Sequence, residues 1–173
     1  AEVYQFARER ARQGVIAVKG ASARNKPVIG RGSKVDLNSK GRTLKRGAVV
    51  HSVGTDTAKS TLFARLKHNE AGEGYLHFPT ETTDEFFKQL TAEKQVLRHN
   101  RGGFPIREWV KKPNARNEAL DTLVYAFAGL NYLYQRRDRR TIWDQYERRL
   151  EEPLTSKKAS VAKAAAPSFV KNW

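Results

Sequence analysis

Three acidic residues stand where an acid is either costly or useful. Asp121 follows Leu120 and comes one turn before Tyr125, within a stretch, 117–134, whose other residues mostly favour burial. A buried carboxylate is expensive unless it is paired, protonated or bound to a metal. Glu118 lies three positions earlier, so the two carboxylates leave neighbouring parts of one helical face. Asp56 falls where an apolar strand gives way to a helix, a habitual place for functional residues in open α/β sheets. Each has a plainer reading as well: Glu118 favoured in a first turn by the helix dipole, Asp121 facing solvent, Asp56 capping a helix. Two or three acids gathered at a sheet edge would bind Mg²⁺ or Mn²⁺ through oxygen. Two such ions can activate a water and hold a scissile phosphate for in-line displacement. That chemistry needs no thiol, and the chain has no Cys, which excludes disulfide frameworks, thiolate zinc sites and Cys nucleophiles. His51, His68, His77 and His99 show no metal-ligand spacing and read as ordinary strand and surface residues.

A second kind of chemistry is written in the bases. Between positions 24 and 46 stand Arg24, Lys26, Arg31, Lys34, Lys40, Arg42, Lys45 and Arg46 against the single acid Asp36. With interleaved Gly, such a segment suits a loop that tracks a phosphate backbone, giving affinity without much sequence reading; the plainer reading is a solvated loop. Lys19 and Lys59 lie close in sequence to the same sheet edge and could touch a phosphate or only water. Over the whole chain 33 Lys and Arg face 18 Asp and Glu, a formal net charge of +15. That surplus draws polyanions. No segment reads as a transmembrane span or a basic amphipathic anchor, so nucleic acid is the expected partner and no membrane is expected.

The elements that must position these residues alternate between strand and helix. The opening residues, to Arg12, read as an amphipathic helix with Val3, Tyr4 and Phe6 inward, ended by Gly14. Val15–Val18 and Ala48–Val53 are apolar runs suited to buried strands. Lys34–Leu37 alternates before a turn signal at 38–41, which predicts a hairpin. Leu62, Phe63 and Leu66 mark a helix after Asp56, and Tyr75–Phe78 reads as a strand stopped by Pro79. Thr83-Asp84 begins a helix to about Leu90, and 91–97 is a further helix or strand. The clearest helix is 117–134, with Leu120, Leu123, Val124, Phe127 and Leu130 as its apolar stripe. A charged helix over about 139–151 carries Ile142, Trp143, Tyr146 and Leu150 on one side and stops at Pro153. The fold class is α/β.

In this order the chain resembles the C-terminal nuclease region of the large terminase subunit of lambda-type tailed phages. The stretches that carry the resemblance are Val3-Tyr4-Gln5-Phe6, Ile16-Ala17-Val18-Lys19-Gly20, Val53-Gly54-Thr55-Asp56-Thr57-Ala58-Lys59, Leu76-His77-Phe78-Pro79, Gln89-Leu90-Thr91-Ala92-Glu93 and Asn117-Glu118-Ala119-Leu120-Asp121. Each is short, but they keep the family's order over roughly residues 3–130. The resemblance implies a ribonuclease-H-like fold, here a mixed sheet flanked by helices, to which the residues themselves add a basic hairpin insertion and a flexible C-terminal tail. It implies a metal-dependent endonuclease that cuts concatemeric double-stranded DNA, using two Mg²⁺ or Mn²⁺ ions. Asp56 and Asp121 match its acidic motif positions as catalytic metal ligands, and Glu118 falls within a matching motif.

The family's nuclease fold opens with a strand bearing another metal-binding Asp, and its ATPase motor lies further upstream. Neither is in this chain, which leaves a piece of a longer protein or a catalytically crippled domain; the first is expected, because a packed sheet would otherwise lose its central strand. The expected divisions are a nuclease domain over 1–134, a charged helix over 135–153 and a flexible basic tail over 154–173. That tail ends in Phe169 and Trp173 after a Lys- and Ala-rich stretch, the form of a tethered docking peptide or of a loose end with incidental aromatics. In the family, similar ends are associated with attachment to the portal of the procapsid. Expected partners are therefore double-stranded DNA, the upstream ATPase domain, the small terminase subunit and the portal, in the host cell cytoplasm during phage assembly. The alternative is a non-catalytic DNA-binding and portal-docking module of the packaging motor.

Overall fold

The computed structural model describes residues 2–21, 23–37 and 43–151, and of residues 36, 37 and 43–46 the backbone alone. Two compact units divide the chain, Ala1–Leu133 and Tyr134–Trp173.

In the first unit a three-stranded mixed sheet has the order β1-β3-β2, formed by β1 (Ala17–Ala21), β2 (Gly32–Leu37) and β3 (Thr43–Gly54). β1 runs parallel to β3, with Ala17 opposite Val50 and Ala21 opposite Gly54. β2 returns antiparallel to β3, from Gly32 opposite His51 to Leu37 opposite Thr43, with a register shift between Val35 and Leu37. The two arms of the hairpin expected around 34–41 are therefore paired, the second being the start of the long strand β3, and the turn expected at 38–41 lies outside the described residues.

Strand alternation gives the sheet two unlike faces. Ala17 and Val50 share one face and pack with Ala7 of α1 (Glu2–Glu9), with Tyr4, Val15 and Val35 at the margin. Val18 and Val53 share the other face, where the main core gathers Leu62, Leu90, Leu120, Val124, Phe127 and Ala128. These come from α2 (Thr55–Arg65), α3 (Asp84–Leu90) and α4 (Glu118–Arg136). The molecule is thus α/β, a mixed sheet flanked by helices.

The opening helix differs from the expected one. It stops at Glu9 and a 3-10 turn, Ala11–Gln13, follows. Val3 and Phe6 are 67% and 51% exposed, whereas Ala7 is buried. The small side chain of Ala7 lets the helix approach the sheet closely, and that geometry turns the bulkier residues outward. The strand expected at Tyr75–Phe78 is not formed; the segment is irregular and Leu76 and Phe78 pack against the main core from a loop. The ambiguous stretch at 91–97 is a strand, β4 (Glu93–His99), paired antiparallel with β5 (Pro105–Lys111). Helix α3 starts as read, with the Thr83 hydroxyl accepting from the Phe86 N–H at 3.3 Å.

The second unit contains the end of α4 and α5 (Ile142–Glu151). Trp143 meets Tyr134 edge-on and Tyr146 at a tilt, at 6.3 and 6.1 Å between ring centroids. Of the residues read on one side of this helix, Ile142 is buried, whereas Trp143 and Leu150 are 53% and 86% exposed. No described helix is long and apolar enough to cross a membrane.

Candidate active site

The first turn of α2 is clamped from both sides. The Thr57 hydroxyl donates to the Lys26 carbonyl at 2.7 Å, and the Thr55 hydroxyl donates to the Ala21 carbonyl at 3.5 Å. Gly54, just before the helix, bonds through its N–H to the Pro27 and Val28 carbonyls at 3.1 and 3.3 Å. A Cβ at Gly54 would come within 2.6 Å of the Pro27 carbonyl oxygen, so only Gly lets segment 26–28 close against this turn. Asp56 sits between the two threonines, half-buried, in the first turn of α2. It does not cap the helix, because the cap position belongs to Gly54. Its carboxylate has no side-chain hydrogen bond or ion pair among the described residues.

Helix α4 approaches the same corner. A Cβ at Gly20, near the end of β1, would lie 3.4 Å from both the Thr55 methyl and the Tyr125 hydroxyl. The ends of β1 and β3, the start of α2 and the first half of α4 therefore meet here. Asp121 is one turn before Tyr125. Its side chain is 51% exposed, so the expectation of a costly buried acid is met by the plainer alternative: Asp121 faces outward, away from the apolar stripe of α4.

The buried acid is another residue. Glu93, the first of β4, is 7% exposed, and both its oxygens accept from the Lys59 ammonium at 2.8 Å. Asn117 donates to Glu93 Oε1 at 2.9 Å and to Asp121 Oδ2 at 3.2 Å, and Lys59 Nζ stands 3.9 Å from Asp121 Oδ1. One ammonium and one carboxamide thus join a buried and an exposed carboxylate. Three charge-assisted bonds to Glu93 offset the desolvation of its charge, which an isolated carboxylate there would not survive. Lys59, expected as a contact to phosphate, has a side chain only 13% exposed and its charge directed at Glu93. Sequence alone missed Glu93. Its only signal was its place at the end of the stretch Gln89–Glu93, between buried Ala92 and the basic Lys94.

Glu118 stays at the rim, paired with Arg116 at 3.3 Å. A hydrogen bond from its own backbone N–H, aided by the Arg116 charge, holds its carboxyl below the usual glutamate range. Among the described residues, no group of three or more His, Cys, Asp or Glu is arranged to hold a metal ion. Lys19 is exposed at a cleft of about 340 Å³ shared with Ser33 and Ser52. Arg31 and Lys34 are also exposed. Lys40, Arg42, Phe169 and Trp173 lie outside the described residues, and for Lys45 and Arg46 only the strand backbone is described. His51 is structural, its Nδ1 3.1 Å from the Gly30 carbonyl and its ring edge-on to Tyr132.

Residues 1–143 match the family described as "Terminase large subunit gpA, endonuclease domain". The chain belongs to this family. It is 39% identical over 144 residues to the terminase large subunit of Enterobacteria phage P21, covering 78% of this chain and 21% of that protein. It is 37% identical over 136 residues to the terminase large subunit of Escherichia phage lambda, covering 74% and 20%. The chain spans about a fifth of the length of these relatives. No solved structure matches it. The terminase match includes every element that meets at the corner of Asp56, Lys59, Glu93, Asn117 and Asp121.

Proposed function

We propose that this chain is the metal-dependent endonuclease of a phage DNA-packaging terminase, cutting concatemeric double-stranded DNA on a ribonuclease-H-like fold. The observation that carries the reading is the acidic corner where the ends of β1 and β3 meet α2 and α4. There Asp56 has an unengaged carboxylate, and Asp121 is half-exposed and aligned by Asn117.

The donors at this corner are carboxylate oxygens, which suit Mg²⁺ or Mn²⁺ and not a soft metal. Asp56 and Asp121 would hold the metal, with Glu118 as a rim carboxylate that remains ionised; the further Asp expected upstream would complete the set. Two such ions, when bound, supply an activated water and neutralise charge on the scissile phosphate. The protein's own work is positioning. Glu93 fixes Lys59 and Asn117, and Asn117 in turn orients Asp121. Lys19, Arg31 and Lys34, with Lys40, Arg42, Lys45 and Arg46, supply positive charge for the DNA backbone. In the assembled motor the partners are the upstream ATPase domain, the small subunit and the portal, met by the tail through Phe169 and Trp173.

The test is cleavage of supercoiled plasmid, by this chain and by one extended upstream, in Mn²⁺, Mg²⁺ and EDTA. Metal-dependent nicking that falls by about 100-fold or more in Asp56→Asn and Asp121→Asn is the expected result. One observation favours a second reading, a non-catalytic DNA-binding and docking module: Lys59 already neutralises much of the cluster. Salt-sensitive DNA binding in all forms with no cleavage in either chain would select it.

A further inference from the structure

The two-stranded ribbon β4–β5 has a root and a tip of different character. At the root, Phe63 of α2 packs against Trp109 at 4.6 Å between ring centroids. A cleft of about 400 Å³ opens there, with Lys67, Glu93, Lys94 and Arg107 among its walls. Beyond the root almost nothing is covered. Every residue from Leu97 to Pro105 is exposed, including Leu97 at 64% and Phe104 at 69%. From Lys94 to Arg107 the ribbon carries Lys94, Arg98, Arg101 and Arg107 and no acid. Arg98 leans on Glu108 at 3.5 Å, whereas Arg101 and Arg107 have no ion-pair partner among the described residues.

The tip is held in one shape. Asn100 Oδ1 accepts from the N–H groups of Gly102 and Phe104 at 2.9 and 3.0 Å. The Asn100 N–H donates to the Phe104 carbonyl at 2.9 Å, and Gly103 turns the chain with φ +79. A large apolar ring is thus presented to water by a loop with its backbone bonds satisfied. No core contact accounts for that exposure. The turn itself, Gly102-Gly103, has no side chains and is narrow.

We propose that the β4–β5 tip is a minor-groove wedge for duplex DNA. Phe104 inserts at a base step, Arg101 beside it at the tip engages a phosphate, and Arg107, further down the ribbon opposite Leu97, engages another. Charge selects the occupant, since the outer part of the ribbon carries only cations, of which Arg101 and Arg107 are unpaired among the described residues while Arg98 leans on Glu108, and such a surface repels basic partners and attracts a polyanion. The narrow glycine turn suits the minor groove, about 6 Å wide, and apolar wedges beside basic residues are how ribbons and arms unstack a step there. The preformed loop lowers the ordering cost of insertion. Five residues of strand, 95–99, separate Lys94 from the loop, roughly 17 Å at the usual rise. The root therefore stays beside Glu93 while the tip reaches DNA flanking the acidic corner. The inference rests on the reading of the chain as a DNA-binding nuclease domain, but not on its catalysing cleavage.

The test is binding of the chain to short duplexes in EDTA, followed by fluorescence anisotropy across a salt series, with 2-aminopurine placed along the duplex to report unstacking. The expected result is a 2-aminopurine rise with the native chain that Phe104→Ala abolishes while leaving the salt slope unchanged. Arg101→Ala with Arg107→Ala should lower the slope of log affinity against log salt by about 2 and weaken binding roughly tenfold. Both variants alter exposed positions, and unchanged thermal melts identify them as folded. Tight duplex binding that neither variant changes overturns the wedge and leaves the nuclease reading intact. A slope change with no 2-aminopurine rise in the native chain also overturns it. No duplex binding by the native chain overturns both. Binding and unstacking by an Asp121→Asn chain that has lost cleavage supports the wedge independently of catalysis.

Discussion

Two ion pairs in this molecule have similar chemistry and opposite consequences. Lys59 and Glu93 meet at 2.8 Å with side chains 13% and 6% exposed. Arg116 and Glu118 meet at 3.3 Å with side chains 69% and 61% exposed. The first pair ties α2 to β4 across 34 residues of chain, and through Asn117 it reaches α4. The second links residues only two positions apart at the start of α4. Water screens an exposed pair to near nothing, whereas a buried pair makes each partner depend on the other. A charge on the surface remains free to meet a ligand; a charge in the interior becomes part of the scaffold that positions one.

The largest expected effect comes from breaking the buried pair on one side. Glu93→Ala leaves the Lys59 ammonium buried without its partner and should lower unfolding free energy by about 3–5 kcal/mol in urea denaturation. An unchanged midpoint would show that Lys59 swings to solvent and that the pair holds nothing together. The comparison sharpens if both charges are removed at once. Lys59→Met with Glu93→Leu should recover most of the lost stability, because two apolar groups of similar size need no pairing. The same double variant should still lose cleavage activity if the cluster positions Asp121. A smaller effect is expected at the bridge. Asn117→Ala removes one bond to each carboxylate and should cost roughly 1–3 kcal/mol by the same measurement.

The smallest effect lies at the exposed pair. Arg116→Ala should leave the urea midpoint where it was, while the Glu118 carboxyl, followed by NMR, titrates at higher pH than in the native chain. The shift should be partial, since the hydrogen bond from its own backbone N–H is the larger cause and remains. The sign follows from the lowered pKa. Whatever Glu118 adds to stability is present above the ordinary glutamate range and fades as pH falls through its lowered folded value.

Much of the fold was legible because it follows from local pattern. The stripe of Leu120, Val124 and Phe127 predicted α4, and all three are buried. Thr83 marked the start of α3, and the apolar runs marked β1 and β3. Tyr75–Phe78 misled for an equally physical reason. Its residues suit a strand, but a strand exists only with a partner, and this segment fills the core from a loop instead. Of the candidate site, Asp56 and Asp121 could be singled out from position and from the family resemblance. Glu93 could not, because its burial depends on α2 and α4 arriving with Lys59 and Asn117.

By itself the sequence determined the α/β class, the excess of positive charge, the absence of thiol chemistry and, through six short ordered stretches, the terminase family. These are properties of composition and near-neighbour spacing, which no partner segment can alter. Tertiary structure alone decided which acid is buried, that Lys59 serves Glu93, and that Phe104 stands exposed at the end of a basic ribbon. Burial and charge pairing are set by segments far apart in the chain, and their energies exist only once those segments meet.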